Sequence, residues 1–178
     1  MKISDRHIAI TDFETSGLNP LTQEILEIGM VLVNQKTLQI MDALDMKVYL
    51  EYPEWADINA LKYNGYDPIV WMVYGKELSE AMAIYSQKTK DAIFCSYNMM
   101  FDWPFLEKAF KKTGVKNLLY CNPLDLLTMS WLKLRNSGLE KYKMDEVAKH
   151  LGVPEEPMPH RALNGAMTAY EIYKRLVS

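Results

Sequence analysis

The order of its apolar segments constrains this chain most, because three strand-like runs come before any clear helix. HIAITD (7–12) is a β-branched run closed by the acidic, Gly- and Pro-containing turn TSGLNP (15–20). EILEIGMVLVN (24–34) and TLQIMDALDMKVYL (37–50) flank the polar Gln35-Lys36 pair and predict a hairpin. From Pro53 to about Lys90 the pattern turns helical, with breaks at Asn64-Gly65 and near Gly75. AIFCSY (92–97) then reads as a buried fourth strand, and LLYCN (118–122) as a fifth.

Between them, DWPFLEKAFKKTG predicts a helix with Asp102 just before it, Pro104 in its first turn and Gly114 past its end. Asp125 reads as the N-cap of another helix. KMDEVAKHLG (143–152) and RALNGAMTAYEIYKRLV (161–177) supply the last two. Strands followed by strand–helix alternation predict an α/β fold with a mixed sheet.

The 178 residues fit one domain, 1–178, and are enough to bury a core. With 49% hydrophobic and 24% charged residues the chain resembles soluble globular proteins and excludes collagen, coiled coil and disorder. Its longest apolar runs fall far short of the roughly 18 residues that span a bilayer. The N-terminal stretch Ile8 to Ile10 stops at Thr11, too soon for a signal peptide, so a cytoplasmic protein with no membrane partner is expected. Cys95 and Cys121 lie in strand-like stretches without CxxC or Cys/His spacing, and both are expected as small buried hydrophobes. A net charge of −3 and a pI near 5.7 exclude the broad basic field of a duplex-coating protein; any nucleic acid would be gripped at a short end.

Asp12 and Glu14 stand two residues apart at the end of the first strand, so both side chains should project to one face. Unpaired, they would repel; a divalent cation between them removes that cost, and hard oxygen ligands favour Mg²⁺ or Mn²⁺. A loop-capping role is the alternative for this pair. Asp102 follows the buried fourth strand, at the side of an open sheet where ligands collect, and an N-cap is its alternative. His160, between a Pro-rich approach and the last helix, can be exposed and mobile there. An ordinary imidazole, with a pKa of about 6.5, could take a proton from an attacking water; a cap or surface role is the alternative.

TDFETSGLNP (11–20), SYNMMFDWPFL (96–106) and HRALNGA (160–166) resemble the three motifs of the DnaQ-like DEDDh 3′→5′ exonucleases, in the family's order. QEILEIG (23–29) and LGV (151–153) resemble the family too, so the likeness spans nearly the whole chain. It implies a ribonuclease H-like fold, with a five-stranded mixed sheet flanked by helices. It also implies two Mg²⁺ or Mn²⁺ ions, roughly 3.5–4 Å apart, serving release of nucleoside 5′-monophosphates from DNA or RNA 3′ ends. By that resemblance Asp12 bridges both ions, Glu14 helps hold one, Asp102 completes the site and His160 is the general base. The backbone near Phe13 and at Thr15, Ser16, Gly17 and Leu18 would face the terminal nucleotide, with Leu18 as a wedge, and Asn98 would lie beside the strand. Family members act beside a polymerase or alone, often as dimers, so single-stranded 3′ ends and a homodimer or polymerase-type partner are expected.

One position departs from the pattern: five residues after the histidine the family has a metal-binding aspartate, and here stands Gly165. Inside a helix glycine costs about 1 kcal/mol relative to alanine, so helix stability does not explain it. Asn164 is one residue early, and a helix turns roughly 100° per residue, so its side chain points elsewhere. Water in the space left by the carboxylate, or Glu155 or Glu156 from the preceding loop, could complete the coordination. The rival reading is a catalytically inactive nucleic-acid- or partner-binding module that kept the fold. An internally cutting ribonuclease H or resolvase relative is a third. Tyr63, Tyr66, Trp71, Tyr74 and Tyr97 could stack on bases or simply pack. Lys108, Lys111, Lys112 and the Lys133 to Lys143 region could meet phosphates or form solvated faces.

Overall fold

A computed structural model describes residues 2–178. Strand β1 (His7–Thr15) lies at the centre of a five-stranded sheet of order β3-β2-β1-β4-β5. It pairs antiparallel with β2 (Ile25–Asn34), which pairs antiparallel with β3 (Ile40–Lys47). On its other side it pairs parallel with β4 (Ile93–Ser96), followed by parallel β5 (Tyr120–Asp125). The opening strands thus form a meander, and the later ones arrive by helical crossovers, as a mixed sheet requires.

Helices α1 (Ile58–Tyr63), α2 (Pro68–Tyr74) and α3 (Leu78–Lys88) lie between β3 and β4. Asp57 and Asp67 cap the first two by accepting from the amides of Asn59 and Ile69, both at 2.8 Å. Helix α4 (Met99–Thr113) follows β4; α5 (Leu126–Leu134), α6 (Met144–His150) and α7 (Ala162–Val177) complete the chain. Asp125 is the expected cap of α5, accepting from the Thr128 amide at 3.0 Å. No described helix is long and apolar enough to cross a membrane.

Alternation along β1 divides the core in two. Ile8 and Ile10 pack with Ala166, Ala169 and Tyr173 of α7 on one face. Ala9 and Phe13 pack with Tyr85 of α3 and Phe105 and Leu106 of α4 on the other. Even-numbered positions of β1 therefore face α7, which carries Asp12 and Glu14 to that side.

Three expectations need correction. Strand β1 runs on to Thr15, so Asp12 and Glu14 are within it rather than at its end. Helix α4 starts four residues early, at Met99: Asp102 occupies its first turn, not its N-cap, and Pro104 lies inside the helix. Asn98 makes this possible by adopting the left-handed conformation (φ 64°) that sends the chain from β4 into α4, one that asparagine tolerates. Cys95 is buried, but Cys121 is exposed because β5 is an edge strand with no strand beyond it.

Candidate active site

The central strand, the first turn of α4 and the approach to α7 converge on one cluster of acids. Asp12 is only partly open to the cleft, and burial pushes its carboxyl well above the usual range, helped first by Asp102 and then by Glu156 and Glu27. Glu14 is raised to about 8, by burial first and then by Asp12, Glu156 and Glu27, with only Arg161 opposing. Asp102 is 1% exposed and raised by burial. Ser96 and the backbone of Phe13 lie on its side and ease that cost. Yet neither Asp102 oxygen, nor the Ser96 hydroxyl, meets a hydrogen-bond partner in good geometry. No Lys or Arg side chain forms a salt bridge with Asp12, Glu14 or Asp102 among the described residues.

His160 is not free and mobile. Its ring stacks on Tyr63 of α1, centroids 4.2 Å apart, and its Nδ1 lies 3.3 Å from Glu156 Oε1. Ligand atoms of Glu14, Glu156 and His160 all fall within 4.8 Å of one another. Of the residues expected at the centre, Glu14 and His160 thus meet at ligand spacing with Glu156, while Asp12 and Asp102 lie close enough to act electrostatically on each other and on Glu14; Glu155 is exposed.

Beside the acids a cleft is lined by Phe13, Glu14, Thr15, Gly17 and Leu18, facing Tyr63, Asn64 and Phe101. Leu18 stands 80% exposed at its rim. Ser16 does not line it. That residue is 1% exposed; its hydroxyl accepts from the Glu24 amide at 2.9 Å and its carbonyl from the Asp57 amide at 2.7 Å, so it holds the turn. Asn98 lies in a neighbouring cavity with Tyr97, Lys141 and Lys143.

Trp71 is a core residue, its indole N–H donating to the Leu26 carbonyl at 3.0 Å. Lys108 donates to the Gln23 carbonyl at 2.9 Å, and Lys112 pairs with Glu51 at 2.5 Å, so both hold neighbouring loops.

Two positions escaped the sequence reading. Glu27 on β2 is fully buried, 2.9 Å from Lys47 Nζ and 3.2 Å from Arg161 Nη1, and it accepts from the Ala162 amide at 3.2 Å. Arg161 donates in turn to the Asn64 carbonyl at 2.7 Å, and Asn64 donates to the Thr15 carbonyl at 3.0 Å. This network seats the start of α7 against β1 and α1. Gly29, paired with Asp12 across β1 and β2, has no room for a side chain: a Cβ there would lie 2.0 Å from the backbone carbon of Ala162. A charged residue and a glycine inside the run ILEIGMVLVN were the available signals.

Gly165 differs from the expected open space. A Cβ on it would lie 2.3 Å from Asp12 Oδ2 and 2.8 Å from Asp12 Cγ, so the Asp12 carboxylate itself occupies that space. α7 packs on β1 and β2 closely enough that residue 165 can be glycine without leaving a hole.

The donor set is one of hard carboxylate oxygens plus an imidazole, and a buried carboxylate without a hydrogen bond is costly unless a cation meets it. These residues fit divalent metal ions.

Comparison with known proteins bears on the whole chain. The exonuclease family model matches residues 9–173. The chain is 30% identical over 171 residues to a PolC-type DNA polymerase III of Caldanaerobacter subterraneus, covering 94% of this chain and 11% of that protein. It is 24% identical to ribonuclease T of Buchnera aphidicola, covering 95% of this chain and 82% of that one. It thus spans about a tenth of the PolC-type relatives. The fold superposes on Escherichia coli exonuclease I bound to single-stranded DNA with TM-score 0.79 at 16% identity, covering 96% of this chain and 40% of that one. A ribonuclease H-like sheet and a match over nearly its full length show that this chain belongs to the DnaQ-like exonuclease family.

Proposed function

We propose that this chain hydrolyses single-stranded DNA or RNA from the 3′ end, releasing nucleoside 5′-monophosphates, with two Mg²⁺ or Mn²⁺ ions held by Asp12, Glu14 and Asp102. The observation that carries this reading is the Asp102 carboxylate, buried beside two other raised carboxyls with neither oxygen hydrogen-bonded. When bound, such ions neutralise charge on the scissile phosphate and on the attacking and leaving oxygens.

The chain's own groups do the rest. Phe13, Thr15, Gly17 and Leu18 hold the terminal nucleotide in the cleft, with Leu18 wedged against its base. Ser16 holds the turn that presents them. Asn98 lies beside the incoming strand. His160, held by Tyr63 on its face and by Glu156 at Nδ1, accepts the proton of the attacking water at Nε2. A P–O bond to that water forms as the bond to the 3′ oxygen breaks, and the 3′ oxygen left on the shortened strand takes a proton from solvent to become a hydroxyl.

In the cell, a polymerase-type partner or a second copy of the chain would direct this activity, the first suggested by the PolC-type relatives. A cytoplasmic setting and a single domain over 1–178 fit the same reading.

The second reading, an inactive binding module, is favoured by Gly165 alone. A 3′-labelled oligonucleotide with Mn²⁺ decides between them. Stepwise release of mononucleotides, lost in Asp12→Asn, is the expected result; an intact oligonucleotide at high protein concentration refutes the hydrolase.

A further inference from the structure

Glu156 occupies an unusual place for a loop acid. Its neighbours Glu155, Pro157 and Met158 are exposed, yet its own side chain is turned inward and only 9% exposed. There its carboxylate lies within 4.8 Å of the ligand atoms of Glu14 and His160, and no Lys or Arg pairs with it among the described residues. Oε1 accepts from the Arg161 amide at 3.5 Å and lies 3.3 Å from His160 Nδ1. Oε2 has no hydrogen-bond partner among the described residues.

A largely buried carboxylate among other carboxylates destabilises a fold unless something positive joins it. The cluster gives independent reason to expect a cation, because Asp102 beside it is 1% exposed and unpartnered at both oxygens. Residue 165 contributes no carboxylate, and the space over its Cα is taken by Asp12. The missing negative charge therefore has to come from another element, and Glu156 is the acid whose ligand atom lies within 4.8 Å of those of both Glu14 and His160.

We infer that Glu156 is a metal ligand of this chain, delivering from the loop before α7 the carboxylate that Gly165 on α7 lacks. The inference rests on the metal-dependent reading of the site given above. It moves the charge from a helix to a loop that also carries His160, so metal binding and the placing of His160 become linked. Glu156 would hold the ion through its carboxylate while staying beside His160.

Glu156→Gln separates this role from simple support of His160, because the amide oxygen can still accept from Nδ1 while the charge is gone. Mn²⁺ binding to the full chain, followed by titration calorimetry and by the electron paramagnetic resonance signal of free Mn²⁺, is the readout. Glu156→Gln should weaken at least one ion by about 10- to 100-fold. Glu155→Gln, one residue away and exposed, should bind as the unaltered chain does. Wild-type affinity in Glu156→Gln, with binding lost in Asp12→Asn, would overturn the role of Glu156 and leave the site itself standing. Equal weakening in Glu155→Gln would overturn it as well, by pointing to loop charge in general. Unchanged binding in Asp12→Asn, or none in the unaltered chain, would bring down the metal site and this inference together. Unfolding curves without metal check that each variant is folded.

Discussion

Among the described residues two acids, Glu27 and Asp102, are buried almost completely, and their surroundings are opposite. Glu27 on β2 is met by Lys47, Arg161 and the Ala162 amide, so its charge is satisfied by the fold. Asp102 on α4 has no cation and no well-formed hydrogen bond, only Ser96 and the Phe13 backbone close by, and Asp12 and Glu14 are its acidic neighbours. The difference teaches how to tell a structural carboxylate from a functional one. A fold that needs an acid for its own stability provides its partners; one that keeps an acid without partners has left room for a ligand.

Removing each charge should therefore have opposite consequences. Asp102→Asn is expected to lower the rate of 3′-end hydrolysis on the order of 10³-fold while leaving metal-free stability unchanged or higher, since a costly charge is gone. Nuclease assays paired with urea unfolding without metal test this, and a variant that is both active and destabilised would erase the contrast. Glu27→Ala should cost about 3–5 kcal/mol, because Arg161 and Lys47 lose their common partner and the start of α7 loses its anchor. An unfolding midpoint within experimental error of wild type would make Glu27 as dispensable to the fold as Asp102.

A third test is in pH. The Glu14 carboxyl is raised from 4.5 to about 8, so the folded chain holds this proton more tightly than the unfolded one. The stabilisation is then complete below about 4.5 and is lost as pH rises through about 8. Thermal unfolding of metal-free protein should show a falling midpoint across that window, flattened by Mn²⁺ and reduced in Glu14→Gln. A midpoint that rises over the same range would mean that Glu14 is paired like Glu27 rather than exposed to its acidic neighbours.

Much of the site was legible before any coordinates. Asp12 and Glu14 could be placed on one face because strand alternation is a local property, and Ile8, Ile10, Ala9 and Phe13 divide between the two cores as that rule requires. Asp125 was legible as a cap for the same local reason. Asp102 was found as an acid but misplaced at the helix boundary, since α4 begins in a left-handed asparagine rather than at a side-chain cap. Ser16 came in with the turn through the family resemblance, and only the fold shows that its hydroxyl and carbonyl are taken up by the amides of Glu24 and Asp57. The exposure of Cys121 depends on β5 being an edge strand, which no property of its own segment reveals.

What the residues determined by themselves is the set of elements, the order of the strand and helix signals, and the acids and histidine they carry. Periodicity, caps and turns act within a few residues, and the motifs lie inside such windows. Only the tertiary structure decided that Glu27 is neutralised and Asp102 is not, that Gly29 lets α7 close on β1, and that Asp12 fills the space above Gly165. Those outcomes depend on which side chains meet across more than a hundred residues of chain, and burial and charge compensation exist only once the layers have packed.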